Sequence, residues 1–349
     1  MKTVNSYKVE EKSSNSIILD ANESPFNYDP SRIAFIIKRL NAEELNRYPD
    51  TDSNKLRELY AKYVGVNKEN LIAGHGSDEM LSLIISRYIS KGKRLFTLAP
   101  DFSMYDFYVS LNEGEVIKYK TRDDGTFDVN NFIEYGIDNR VDLVMFSNPN
   151  NPTGNVVSIE DIELILTAFK DTKVVVDEAY VEFYGKSTVE LIDKYSNLIV
   201  TRTLSKAWGL ASLRVGFLIS NEGLVSELNN YKVPFNVSEI SQVIACNILE
   251  NESVDESIEK IMNWKEQFYK ELKEIEMESS IDISFYKGNA NFIYGRSPYK
   301  EDIISTLTMK KVKIRSFKDD TFRITVGVPS QNKIVIDAIK KTCIYEEAF

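Results

Sequence analysis

Residues 173–180 read KVVVDEAY and residues 198–220 read LIVTRTLSKAWGLASLRVGFLIS. Each stretch opens on a short run of β-branched and aliphatic residues and then turns polar, at Asp177 in the first and at Ser205 and Lys206 in the second. Short apolar runs that end in this way describe buried strands of a parallel sheet, whose ligands gather beyond the carboxyl ends. Outward from here, the same alternation of apolar run and amphipathic segment extends from about residue 70 to residue 220. Strands are predicted at residues 70–73, 94–98, 115–119, 142–146, 173–176, 198–201 and 215–219, with helices between them. Residues 77–90 place Met80, Leu81, Ile84, Ile85 and Tyr88 on one helical face, and residues 158–169 form a helix opened by Ser158 with acids in its first turn.

Beyond Pro234 the pattern changes. A long helix carries Ile258, Ile261, Met262, Trp264, Phe268, Leu272 and Ile275 at helical spacing. Predicted strands near 281–286, 291–294, 312–314 and 322–326, with helices near 301–309 and 333–340, then describe a smaller α+β unit. A chain of 349 residues exceeds what one hydrophobic core usually carries. The expected division is an N-terminal arm over residues 1–30, packing on the small domain or on a partner, a large α/β domain over 31–237 and a small domain over 238–349.

The chain carries 43 Lys and Arg against 53 Asp and Glu, a formal charge of −10, and its basic residues form no stripe. That argues against a nucleic-acid partner. The opening MKTVNSYKVEEKSSNS has no apolar stretch, and no apolar run approaches the roughly 18 residues of a membrane span, so a cytoplasmic protein without a membrane partner is expected. Cys246 and Cys343 read as reduced and structural. His75 is the only histidine, and a Ser-His-Asp triad, a Cys-His pair or a multi-histidine zinc site would all have to rest on it. No metal is expected, and other side chains must move the protons.

Four places directly after predicted strands are rich in polar residues. Gly74-His75-Gly76-Ser77-Asp78-Glu79 turns through two glycines into a helix N-terminus, either an anion cradle or a plain capped turn. Ser147-Asn148-Pro149-Asn150-Asn151-Pro152-Thr153-Gly154 is dense in turn formers, which explain Pro and Gly but not three asparagines. Asp177-Glu178-Ala179-Tyr180 sets an acid at a strand end with a phenol three residues on; a hydrogen-bonded loop anchor is the alternative. The last is the loop holding Ser205 and Lys206, with Arg214 eight positions on. Lysine forms Schiff bases with carbonyls when burial or a nearby cation depresses its pKa, although a surface lysine is ordinarily only solvated.

In order, spacing and placement these four loops resemble the fold-type I pyridoxal-phosphate aminotransferases, and most closely their histidinol-phosphate aminotransferase branch. The likeness runs from Ala21-Asn22-Glu23-Ser24-Pro25 and Arg47-Tyr48-Pro49-Asp50 to Phe322-Arg323-Ile324-Thr325-Val326-Gly327. It implies an α/β fold with a mostly parallel central sheet and a smaller α+β domain. It also implies that Lys206 holds the aldehyde of pyridoxal 5'-phosphate and shuttles a proton, that Asp177 pairs with the pyridine nitrogen, and that Asn151 and Tyr180 bond the ring 3-oxygen. Phe102 would stack on the ring, where close relatives commonly carry tyrosine. Gly76, Ser77, Asp78, Ser205, Arg214 and Tyr48 would hold the phosphate, with Tyr48 coming from the other subunit of a homodimer with shared active sites.

For substrate, the resemblance points to Arg323 as the anion-binding residue, to Arg315 as a second basic group, and to Asn22, Asn151 and Tyr48 beside them. The segment from Arg315 to Arg323 is shorter than in many histidinol-phosphate enzymes. His75 and Ser212 replace a common asparagine and a common glycine. The implied reaction moves an amino group from histidinol phosphate to 2-oxoglutarate. An aminotransferase for aromatic amino acids, a threonine-phosphate decarboxylase and a non-enzymatic cofactor-binding regulator are the alternatives.

Overall fold

The computed structural model describes residues 16–38 and 46–344. The chain opens with β1 (Ile17–Leu19), α1 (Pro30–Lys38) and α2 (Asn54–Val64), then alternates through β2 (Leu71–His75), α3 (Gly76–Tyr88), β3 (Arg94–Ala99), α4 (Met104–Leu111), β4 (Glu115–Lys120), α5 (Val129–Asp138) and β5 (Leu143–Ser147). The alternation continues with α6 (Ile159–Ala168), β6 (Lys173–Asp177), α7 (Val181–Tyr184), β7 (Leu198–Thr203) and β8 (Val215–Ser220). Helices α8 (Glu222–Asn229), α9 (Glu239–Asn251) and α10 (Asp255–Glu278) lead into β9 (Ser284–Tyr286), β10 (Phe292–Arg296), α11 (Lys300–Met309), β11 (Val312–Ser316), β12 (Thr321–Thr325) and α12 (Pro329–Cys343). None of the described helices is long and apolar enough to cross a membrane.

Every predicted apolar run between residues 70 and 220 is a strand of one seven-stranded sheet, ordered β2-β8-β7-β6-β5-β3-β4. All of it is parallel except β8, which runs antiparallel to both β2 and β7. Side chains alternate between the two faces. Val144, Val174, Val176 and Val200 enter one core with Phe96 and Phe146, while Leu143, Met145, Val175 and Ile199 enter the other with Leu95 and Leu218. Burying each such side chain contributes about 1.5–3 kcal/mol.

Several strands run past the end of the apolar pattern. Ladder hydrogen bonds come from the backbone, so β5, β6 and β7 continue through Ser147, Asp177 and Thr203. Asp177 is therefore the last residue of a strand and not part of a loop, in register with Ser147 on one side and Thr201 on the other. The run predicted at 281–286 shortens to Ser284–Tyr286, because Ser279 and Ser280 turn the chain by bonding Ile281 and Cys343.

A second, five-stranded sheet is ordered β1-β11-β12-β10-β9, with β1 paired in parallel to β11. The described part of the N-terminal arm thus completes this smaller sheet. Helix α10 lays Ile261, Phe268, Leu272 and Ile275 into the core beneath it.

Candidate active site

The carboxyl ends of β5, β6 and β7 set Ser147, Asp177 and Thr201 side by side. Asp177 is 3% exposed. Its Oδ1 accepts from Thr201 Oγ1 at 2.9 Å and its Oδ2 from the Tyr105 hydroxyl at 2.9 Å. Burial pushes the carboxyl up to about 6 against the pull of these bonds. The group faces a cavity of about 440 Å³ lined also by Ser77, Asp78, Phe102, Asn151, Tyr180, Ser205, Lys206 and Arg214.

Lys206 follows β7. Its Nζ donates to the Ala21 carbonyl at 2.7 Å and stands 5.8 Å from the centre of the Tyr180 ring. A second cavity of about 910 Å³ shares Ala21, Phe102, Asn151, Tyr180 and Lys206 with the first, so the lysine sits at their junction.

One end of the smaller cavity is a backbone cradle. Gly76 has φ 76° and a Cβ there would lie 2.8 Å from Arg214 Nη2, while a Cβ on Gly216 would lie 2.2 Å from the Ser77 nitrogen. Glycine at 216 lets the N-terminus of α3 approach β8 this closely, and glycine at 76 takes the positive φ at the start of that helix. Arg214, with φ 51°, donates Nη2 to Asp78 at 3.0 Å, and the Thr203 hydroxyl donates to Ser205 Oγ at 2.9 Å.

The larger cavity is basic along one wall, where Lys311, Lys313, Arg315 and Arg323 line it. Arg315 and Arg323 are direct cross-strand partners on β11 and β12. Arg323 donates Nη1 to Asn151 Oδ1 and Nη2 to the Asp20 carbonyl at 2.6 Å.

Three predicted site residues line neither cavity: Gly76, at the start of α3 just before Ser77, and two that lie farther off. Asn22 is fully buried and lines neither cavity: its Nδ2 donates to the Tyr180 hydroxyl at 2.8 Å and its backbone N–H to Thr325 Oγ1 at 3.0 Å. It stands behind the wall and orients Tyr180. Tyr48 is 80% exposed, stacks on Phe235 at 4.6 Å and also lines neither cavity.

Tyr105 and Thr201, which hold Asp177, were not singled out from the sequence, nor were Lys311 and Lys313. Tyr105 lay within reach, in the same turn as Phe102. Thr201 becomes visible only through its register with Asp177.

The family model for aminotransferase class I and II matches residues 14–339. Histidinol-phosphate aminotransferases of Clostridium novyi (strain NT) and Clostridium kluyveri are 41% and 39% identical to the chain, covering 93% of it and 91% and 92% of their own lengths. Among solved structures, histidinol-phosphate aminotransferase from Sinorhizobium meliloti in complex with pyridoxal-5'-phosphate superposes with a TM-score of 0.82 at 23% identity, over 93% of this chain and 90% of that one, a likeness of fold. The resemblance read from the four loops is borne out by these matches.

Proposed function

We propose, for a chain that belongs to the class I and II aminotransferases and is a pyridoxal-phosphate-dependent enzyme, that its amino donor is histidinol phosphate and its acceptor 2-oxoglutarate. The residues around the smaller cavity fit the cofactor. A buried carboxyl held up at about 6 wants a cationic partner, and the glycine-lined N-terminus of α3 offers backbone donors to a phosphate. When bound, the cofactor supplies an electron sink for the bond broken at the donor carbon.

Lys206 would hold the cofactor aldehyde until the donor amine displaces it, and its freed Nζ would then take the proton from the donor carbon and return it. Asp177, fixed by Thr201 and Tyr105, would pair with the pyridine nitrogen and keep it protonated. Asn151 has its oxygen engaged by Arg323, so its Nδ2 would be left to donate to the ring 3-oxygen; the Tyr180 hydroxyl accepts from Asn22 and would turn its own hydrogen to the same atom. Phe102 would stack on the ring, and Gly76, Ser77, Asp78, Ser205 and Arg214 would hold its phosphate.

The observation that carries the donor assignment is the basic wall. Lys311, Lys313, Arg315 and Arg323 gather along one wall of the larger cavity, with Arg315 and Arg323 directly opposite on adjacent strands, and guanidinium forks of this kind suit a phosphate or carboxylate. Arg323 and Arg315 therefore receive the donor phosphate, and Arg323 the carboxylate of glutamate in the reverse half-reaction. An aromatic amino acid supplies no phosphate to this wall.

We further propose a cytoplasmic homodimer in which Tyr48 reaches the partner's cofactor phosphate. In support, Tyr48 is exposed and stacks on Phe235 in a segment that also exposes Tyr231 and Val233.

The test offers histidinol phosphate, phenylalanine and phosphothreonine to the purified holoenzyme with 2-oxoglutarate, reading glutamate against carbon dioxide. Glutamate formed from histidinol phosphate is expected. Turnover of phenylalanine alone moves the assignment to an aromatic aminotransferase, and carbon dioxide from phosphothreonine to a decarboxylase.

A further inference from the structure

Asp101, just before Phe102, lines the larger cavity, and its carboxylate gathers four donors. Oδ1 accepts the Phe102 N–H at 2.7 Å and the Ser147 hydroxyl. Oδ2 accepts the Ser147 N–H at 3.2 Å and the Thr97 hydroxyl at 3.3 Å. Ser147 Oγ in turn accepts the Asn151 N–H at 2.9 Å, and Asn150 Nδ2 reaches the Pro100 carbonyl at 3.3 Å. One carboxylate thus ties the turn that carries the ring-stacking Phe102 to the loop that carries Asn151.

We propose that Asp101 is a positioning residue which, through Ser147, fixes the ring-stacking turn at Phe102 relative to the ring-oxygen donor at Asn151. It rests on the placement of the cofactor in the smaller cavity, not on the identity of the amino donor.

The chemistry at position 101 is selective. Each carboxylate oxygen accepts one backbone N–H, so both must be acceptors at once. An asparagine of the same volume sets its NH2 against one of those N–H groups in either flip. A hydroxyl residue is too short to serve both. Only a carboxylate of this length meets Phe102 and Ser147 together, and the contact is charge-assisted, stronger than its neutral counterpart. Burial pushes the Asp101 carboxyl up to about 7 against the pull of the Ser147 and Phe102 hydrogen bonds, so the charged form that accepts all four donors gains as pH rises through that value.

The test is a double-mutant cycle of Asp101→Asn and Ser147→Ala. Three readouts are taken: affinity of the apo-protein for pyridoxal phosphate by tryptophan quenching, the visible spectrum of the bound cofactor with its pH titration, and single-turnover reaction with glutamate. The glutamate arm keeps the experiment independent of the histidinol phosphate assignment. Asp101→Asn is expected to weaken cofactor binding roughly tenfold, the scale of one charge-assisted hydrogen bond. It is also expected to shift the midpoint of the spectral titration, because Asn151 no longer meets the ring oxygen squarely. Ser147→Ala should do the same through the missing hydroxyl, and the double variant should be no worse than the more impaired single one. If Asp101→Asn fails to fold, Ser147→Ala alone carries the spectral test. Additive losses, or a lower melting temperature with unchanged affinity and titration midpoint, would overturn the proposal.

Discussion

Arg323 joins the two cavities at the level of single atoms. Its guanidinium bonds the Asn151 oxygen on the cofactor side and lines the basic wall on the other. A lysine keeps the charge but not the planar fork, so Arg323→Lys is expected to lower kcat/KM for histidinol phosphate and for glutamate by roughly ten- to a hundredfold, measured by single-turnover kinetics. An effect on one substrate only would place the other's anion elsewhere. Glu182 poses a different problem. Neither of its carboxylate oxygens bonds another described residue, Arg202 Nη1 lies 3.7 Å away, and burial pushes its pKa from 4.5 up to about 7. Between those values the folded protein holds a proton that the unfolded chain has released, so the stability it contributes is present at low pH and is lost as pH rises through about 7. Asp177 acts in the same direction up to about 6. The apo-protein should therefore melt at lower temperature at pH 7.5 than at pH 5, a fall that Glu182→Gln reduces. An unchanged fall in that variant would remove Glu182 as its source.

Helix α10 bears on the site through one side chain. Lys265 is fully buried, and its Nζ donates to the carbonyls of Gly288 at 2.9 Å and Ala290 at 2.7 Å. The loop it holds presses on the Asn151 loop: Asn289 donates its N–H to the Gly154 carbonyl at 2.6 Å, and a Cβ on Gly288 would lie 2.6 Å from Gly154 Cα. Burial lowers the ammonium pKa from 10.5 to about 7. The folded pKa lies below the unfolded one, so between about 7 and 10.5 the unfolded chain binds the extra proton and this residue's contribution to stability rises with pH. Relative to Lys265→Met, the wild type should gain stability from pH 7 to pH 9.5, measured by denaturant unfolding. A constant difference between the two proteins across that range would show that the amine stays charged.

For the whole molecule, the proposed dimer makes the strongest demand. Lys232 Nζ donates to the Thr51 carbonyl at 2.9 Å and Tyr48 stacks on Phe235, so the two segments join in one exposed aromatic face. If each site takes its lysine from one chain and its tyrosine from the other, mixing inactive Lys206→Ala chains with impaired Tyr48→Ala chains creates heterodimers with one intact site. Part of the wild-type activity should return on subunit exchange. No recovery, with exchange verified by differently tagged chains, would assign Tyr48 to its own subunit or to no site.

The sheet was legible from the sequence because a buried parallel strand needs only an unbroken apolar run, and such a run is local; Val174-Val175-Val176 declares itself whatever lies around it. Lys206, Asp177 and Asn151, which the fold brings around one cavity, stood out for a related reason, since ligands gather where such runs turn polar. What sequence could not supply were contacts between residues far apart in the chain. Asn22 could be read as lining the substrate site, but 303 positions separate it from the Thr325 hydroxyl that pins it behind the wall. Asp101 was not singled out from the sequence, and only the packing of neighbouring strands brings Ser147 against it. Arg315 and Arg323, whose spacing left their relation open, became partners once β11 and β12 paired in register. Apolar burial is specified residue by residue along the chain, whereas the partner of a polar group is chosen by strand register and packing, which exist only in the folded molecule.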